Sequence, residues 1–237
     1  MKKIGVMSGF LTTVLLIGGS SISGDTALGS NEIIPDEQIK RQTETISENG
    51  YGVSANHPLA VDTGMAVLEY GGNAVDAAVA MSYVLGVVEP QGSGIGGGGE
   101  MLIYNEQDDK RLVHRYREVA PYSEETKVDN FGIPGFVQGM EDIVELEGSL
   151  SHEELLETAI AYAESGIEMN EDLAQRLAGA AHRIDKEAAS AFFEDGVPLK
   201  EGDLLVQTEL ADTLKTIQEE GQMDFTAGTS QKKLRKT

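Results

Sequence analysis

The chain has no cysteine and no tryptophan, and aromatic residues make up only 5% of it. Positive charge is also scarce: 18 Lys and Arg stand against 40 Asp and Glu, a net charge of -22. The lack of Cys excludes disulfides and a lipid-bearing Cys, so the fold must be stable without either. A field of this sign repels phosphate backbones and anionic membrane surfaces, which excludes nucleic-acid binding as a main function. The acidity suits solubility in a saline or extracellular setting. What is present is enough for a packed core. The 237 residues are 40% hydrophobic, sufficient for one large domain or two small ones.

The N-terminus reads as an export signal. Lys2 and Lys3 precede a largely apolar, uncharged run from Ile4 to Ile17, and small residues follow through Gly24. The run is short for a membrane-spanning helix, so a cleavable signal peptide over 1–24 is expected, with an uncleaved anchor as the alternative. Residues 25–50 are polar and without clear periodicity, and read as a spacer. The domain is expected over 51–237.

Within it the spacing predicts a helix over Leu59 to Tyr70, stopped by Gly71-Gly72. Asn73 is placed to cap a second helix, Ala74 to Val88, whose apolar residues run all round and predict burial. Met101 to Tyr104 and Leu112 to Arg117 read as strands joined by the turn Glu106-Gln107-Asp108-Asp109. The rest is mostly helical. Phe136 to Leu146 follows Gly132-Ile133-Pro134-Gly135, and Ser151 with Glu154 forms a capping box ahead of Leu155 to Ser165. Asn170 is predicted to cap a run through Ile184, and Thr208 one through Glu220. The basic tail Gln231 to Thr237 continues an amphipathic pattern without a closing element, so the chain is expected to stop inside a fold.

The densest signal is Gln91-Gly92-Ser93-Gly94-Ile95-Gly96-Gly97-Gly98-Gly99, lying between a helical run and an apolar one. Glycine lets backbone approach another group closely, so the loop is read as shaped for a ligand or for tight packing, with a flexible linker as the alternative. Gly92 to Gly97 matches G-x-G-x-x-G, but a dinucleotide site needs a strand before the glycines and a helix after them, and here the order is reversed. No Gly-Lys-Ser/Thr follows, which excludes a phosphate-binding P-loop, and Ser93 lacks the preceding glycine of a nucleophile elbow.

His57, His114, His152 and His182 show no i, i+4 pair, so no zinc site is expected. His57, before Pro58, reads as a capping or packing residue. Ser230-Gln231-Lys232-Lys233 matches S-x-x-K by chance, and Glu153, Glu154 and Glu157 form a solvated helix face. Arg115, Arg117 and Glu118 stand out because they place positive charge where it is rare. Two uses compete: a structural ion pair, as with Glu118, or a bidentate grip on a ligand carboxylate.

The ordered blocks His57-Pro58-Leu59-Ala60, Gly71-Gly72-Asn73-Ala74-Val75-Asp76-Ala77-Ala78, Gly86-Val87-Val88-Glu89-Pro90, Ser93 to Gly99 and Tyr116-Arg117-Glu118-Val119-Ala120-Pro121 resemble the γ-glutamyltranspeptidases. Gly132 to Val137 and Gln207-Thr208-Glu209-Leu210-Ala211 continue the match, which covers about residues 51 to 228. Ser82 to Gly86 and Gly135 to Glu141 look nearest to the capsule-depolymerase branch, which acts on poly-γ-glutamate.

The resemblance implies an α+β fold, the αββα sandwich of the N-terminal-nucleophile hydrolases, incomplete in this chain and helix-rich in its N-terminal part. It implies γ-glutamyl transfer or hydrolysis, with glutathione or poly-γ-glutamate as donor. A precursor cuts itself to free a Thr, whose α-amine serves as base while its hydroxyl forms an acyl-enzyme. None of the Thr residues here sits in the family's Thr-Thr-His-type block, and the Gly pair of the oxyanion hole is missing with it. The chain is therefore expected to match the large subunit, to be inactive alone, and to need a complementary small-subunit chain. Arg117 falls on the family's arginine for the substrate α-carboxylate, and Gly94, Gly96, Gly97, Gly98 and Gly99 on a wall near the active centre. No cofactor or metal is implied, and membrane contact is expected only through the N-terminal segment of a secreted or surface-held protein. The alternative is a secreted, non-catalytic γ-glutamyl-binding or partner-assembling fragment.

Overall fold

The computed structural model describes residues 12–17, 43–46, 50–106, 109–119 and 132–221. The basic start, the polar stretch through Lys40, two residues of the acidic turn, Ala120-Pro121, the S-x-x-K match and the basic tail lie outside them. Two strands fall in the segments read as signal and spacer: β1 (Thr12–Ile17) and β2 (Thr43–Ile46). The strand β3 (Gly52–Ala55) pairs antiparallel with β2, Thr43 opposite Ala55.

Two helices then build the centre. α1 (Pro58–Tyr70) begins with Pro in its first turn, where a missing N–H costs nothing, and His57 Nδ1 accepts from the Leu59 amide at 3.2 Å. Gly71, at φ 110°, ends it with a backbone bond to Leu68. α2 (Ala74–Val88) follows after one residue's cap, with the predicted bounds. Asn73 Oδ1 accepts from the amides of Val75 and Asp76, and the Asp76 carboxylate accepts from the Asn73 amide. Nearly every side chain of α2 is buried, as its all-round apolar pattern requires.

Around α2 lie the sheet and the remaining helices. β4 (Glu100–Asn105) and β5 (Lys110–Arg115) form a hairpin, and β1 pairs on the other edge of β4, giving the order β1-β4-β5, all antiparallel. Alternation along β4 turns Met101 and Ile103 into the core and Leu102 outward. The helices α3 (Phe136–Glu147), α4 (His152–Ser165), α5 (Glu171–Ala180) and α6 (Thr208–Glu220) supply Met140, Ile143, Leu155, Leu156, Leu173, Leu214 and Ile217 to the same core. Short pairs β6 (Ile167–Glu168) with β9 (Leu204–Leu205), and β7 (Phe193–Glu194) with β8 (Val197–Pro198), tie the connections. The described residues are thus an α+β arrangement, helix-rich with small sheets. No helix among them is long and apolar enough to cross a membrane.

Three local expectations are corrected. The second hairpin strand ends at Arg115, so Arg117 and Glu118 lie beyond it. The helix after Asn170 stops at Ala180 and gives way to turns before Ile184. Thr208 is the first residue of α6 rather than its cap. Gln207 holds the cap position, and its side-chain amide donates instead to the Val87 carbonyl, tying α6 to the end of α2. The Ser151–Glu154 capping box forms as the sequence predicts.

Candidate functional site

Arg117 sits where three backbone segments meet. The ladder of the hairpin runs one step past its strands: the Tyr116 amide donates to the Gly99 carbonyl at 2.9 Å, and the Gly99 amide donates back at 3.3 Å. The glycine loop is therefore the direct continuation of β4, and Arg117 the direct continuation of β5. Val119 and Ile133 exchange a second pair of bonds, at 3.2 and 2.8 Å, which brings in the Gly132 to Gly135 turn. The Gly97 carbonyl then accepts from the amides of Gly135 and Phe136 at 3.1 and 3.0 Å. α3 has no side-chain cap, and this carbonyl takes that place.

The structure thus brings Gly97, Gly98 and Gly99 against the segment bearing Arg117. Among the described residues Gly94 bonds only within the loop, accepting from the Gly97 amide at 3.1 Å. Gly96 faces open space. The linker alternative fails for Gly97 to Gly99, since each is fixed by main-chain bonds or by close backbone contact.

Arg117, Glu118 and Val119 are exposed. Arg115 pairs with Glu100 at 3.3 Å, and Arg111 pairs with Asp109 at 2.9 Å and lies over the Tyr104 ring. Lys110 pairs with Glu147. Arg117, by contrast, has no ion pair or hydrogen bond among the described residues, and the pair with Glu118 does not form. In a chain with this excess of acid, an exposed guanidinium without a partner among the described residues offers a planar fork to a carboxylate.

The core next to Tyr116 is aromatic. Tyr116 stacks edge-on to Phe136, with centroids 6.3 Å apart, and Phe136 meets Tyr83 in the same way at 5.2 Å. Burial pushes the Tyr116 hydroxyl up to about 12 and raises Tyr83 further, helped there by Glu141. The Tyr83 hydroxyl is hydrogen-bonded to His152 Nε2 at 2.9 Å, and burial holds His152 below its ordinary value against the pull of Glu141 and Glu153. His114 Nε2 donates to the Gly139 carbonyl at 3.0 Å. None of these histidines pairs with another, and among the described residues no group of three metal-binding side chains occurs.

Sequence reasoning missed Gly139, although a glycine inside a helical run is itself a signal of close packing. It also missed the reach of Asp76, because capping patterns are local and its partners Ser149 and Leu150 lie more than seventy residues away.

Residues 60–237 match the γ-glutamyltranspeptidase family model. The chain is 45% identical over 229 residues to the capsule biosynthesis protein CapD proenzyme of Bacillus anthracis, covering 96% of this chain and 42% of that one. It is 37% identical over 204 residues to the glutathione hydrolase proenzyme of Bacillus subtilis, covering 78% and 35%. The crystal structure of the Bacillus anthracis transpeptidase CapD superposes with a TM-score of 0.73 at 50% identity, covering 78% of this chain and 64% of that one. The chain therefore spans less than half the length of the curated relatives it matches.

Proposed function

The chain belongs to the γ-glutamyltranspeptidase family, and from that premise we propose that it is the substrate-gripping portion of a γ-glutamyl transferase or hydrolase. The observation that carries this is Arg117: exposed, unpaired among the described residues, and held at the mouth of the glycine loop. In this reading its guanidinium takes the α-carboxylate of a γ-glutamyl group in a bidentate grip. The glycine loop walls the site without side chains that would compete for the space.

The chemistry is assigned to a Thr outside these 237 residues. Its own α-amine takes the proton of its hydroxyl, the oxygen attacks the γ-carbonyl, and the amine or peptide leaving group departs with a proton. Water or an acceptor amine then opens the acyl-enzyme. Both curated relatives named above are proenzymes, which supports a precursor whose two parts work together. Poly-γ-glutamate and glutathione are the two donor classes their names suggest.

The sheet supports a second layer. Met101 and Ile103 are covered by helices, whereas Leu102 and Val113, directly opposite each other in register, are 42% and 52% exposed on the other face. A complementary small-subunit segment laid on that face would complete the αββα sandwich of the N-terminal-nucleophile hydrolases. An exported or surface-held location fits the N-terminal apolar run.

The test has two arms. The purified chain should not hydrolyse γ-glutamyl-p-nitroanilide by itself, but should do so with a family small-subunit polypeptide. Calorimetric titration with L-glutamate should give heat that disappears in Arg117→Ala. Turnover by the lone chain would overturn the division of labour, and a flat titration the role of Arg117. Binding without any activity in the complex would instead favour a non-catalytic γ-glutamyl-binding module.

A further inference from the structure

Four glycines crowd Tyr116, Arg117 and Glu118, two of them against main-chain atoms and two against side chains. A Cβ at Gly98 would lie 2.9 Å from both the Arg117 Cα and the Glu118 nitrogen. One at Gly135 would lie 2.8 Å from the Tyr116 carbonyl carbon and 2.9 Å from the Arg117 oxygen. One at Gly139 would fall on the Tyr116 Cβ and Cγ and come within 3.0 Å of its Cδ1, and one at Gly132 would lie 2.8 Å from the Glu118 Cβ. These are distances that real Cβ atoms do not adopt, and at Gly98 and Gly135 the atoms met are main chain, which cannot turn aside. The contacts come from two segments: Gly98 from the loop after α2, Gly135 and Gly139 from the start of α3.

We infer that Gly98 and Gly135, packed on the main chain, with Gly139 on the Tyr116 side chain and Gly132 on the Glu118 side chain, are positioning residues that clamp the stretch Tyr116 to Glu118 and so aim the Arg117 guanidinium at its carboxylate. The inference rests on the reading of Arg117 given above and extends it to residues that touch no substrate. Arg117 itself is exposed, so packing of its own side chain does not fix it, and the hydrogen bonds of Tyr116 to Gly99 and of Val119 to Ile133 anchor only the residues on either side. Clamping that short stretch reduces the ordering a ligand must otherwise impose. His114 Nε2 bound to the Gly139 carbonyl, with its ring tilted on Tyr116 at 5.8 Å, locks the α3 side of the clamp to β5.

The experiment compares the wild-type chain with Gly139→Ala, Arg117→Ala and Gly179→Ala, the last a glycine with open space around it. L-glutamate affinity is measured by calorimetry well below the unfolding midpoint, and exchange of the Tyr116 amide by hydrogen–deuterium exchange. Gly139→Ala is expected to weaken glutamate at least tenfold and to speed Tyr116 exchange at least tenfold. Arg117→Ala should lose glutamate but keep Tyr116 exchange, and Gly179→Ala should change neither. A folded Gly139→Ala chain with wild-type affinity overturns the inference alone, because a merely structural glycine alters stability and not affinity in the folded state. If the wild-type chain takes up no glutamate, the role of Arg117 fails, and this inference with it. Should Gly139→Ala lack cooperative unfolding, Gly132→Ala carries the same affinity measurement, with exchange read at the Val119 amide, and the same expected losses.

Discussion

The Gly135 amide donates to the Gly97 carbonyl at 3.1 Å, so the glycine loop caps the helix α3 with its own main chain. Through that bond and its neighbour from Phe136, the loop before β4 and the turn before α3 form one unit around Tyr116. The packing there leaves no space for a methyl group. Gly135→Ala is expected to destabilise the chain by about 1–3 kcal/mol, the usual cost of overpacking. Gly179→Ala, on the exposed face of α5, should instead stabilise by up to about 1 kcal/mol, because helical glycine carries excess backbone entropy. Urea denaturation of the two variants side by side measures both.

Asp76 is fully buried, and its carboxylate accepts from the amides of Asn73 at 2.7 Å, Ser149 at 3.0 Å and Leu150 at 3.3 Å. It joins the turn before α2 to the turn between α3 and α4. Asn73 reinforces the joint through Nδ2, which donates to the Glu147 carbonyl and the Ser149 hydroxyl, both at 2.8 Å. Asp76→Ala leaves three part-buried backbone donors without their acceptor, so a loss on the order of 3 kcal/mol is expected from the urea midpoint. Ser149→Ala, which removes only one acceptor at an exposed contact, should cost about 1 kcal/mol or less.

Acid should weaken the fold through two histidines. Burial lowers His57 and His152 from the ordinary 6.5, so the unfolded chain takes up protons at a pH where the native chain does not. Stability therefore falls as pH drops below 6.5, until each native histidine is itself protonated. In the native state each also accepts or shares a hydrogen bond, His57 with the Leu59 amide and His152 with the Tyr83 hydroxyl. The urea midpoint measured from pH 7.5 down to 5 should decline, and His152→Gln should flatten that decline.

At the alkaline end the sign comes from Tyr116. Its hydroxyl is raised from 10.0 to about 12 in the fold, so between those values the unfolded chain loses a proton that the native chain keeps. Stability is held up to about pH 10 and falls above it. Tyr116→Phe keeps the ring against Phe136 and removes this share of the slope, leaving that of Tyr83. The thermal midpoint followed from pH 9 to 11 in both chains tests it.

The sequence by itself determined the elements with strong local signals. The Asn73 and Ser151 caps, the Gly71 stop and the all-round apolar run of α2 each act within a few residues, and each formed as read. The ordered motif blocks likewise carried the family. Only the tertiary structure decided where those signals met. The strand ended at Arg115 because the hairpin ladder closes with the bonds of Tyr116 to Gly99, after which Val119 turns to Ile133. Gln207 took the cap position of α6 because its amide was drawn to Val87, 120 residues away. That Arg117 has no partner among the described residues also rests on geometry that spacing cannot supply, since Glu118 is its neighbour in sequence and yet does not pair with it. Local chemistry sets each element, but contacts between distant segments depend on how the elements pack, and the arrangement around Arg117 is made almost wholly of such contacts.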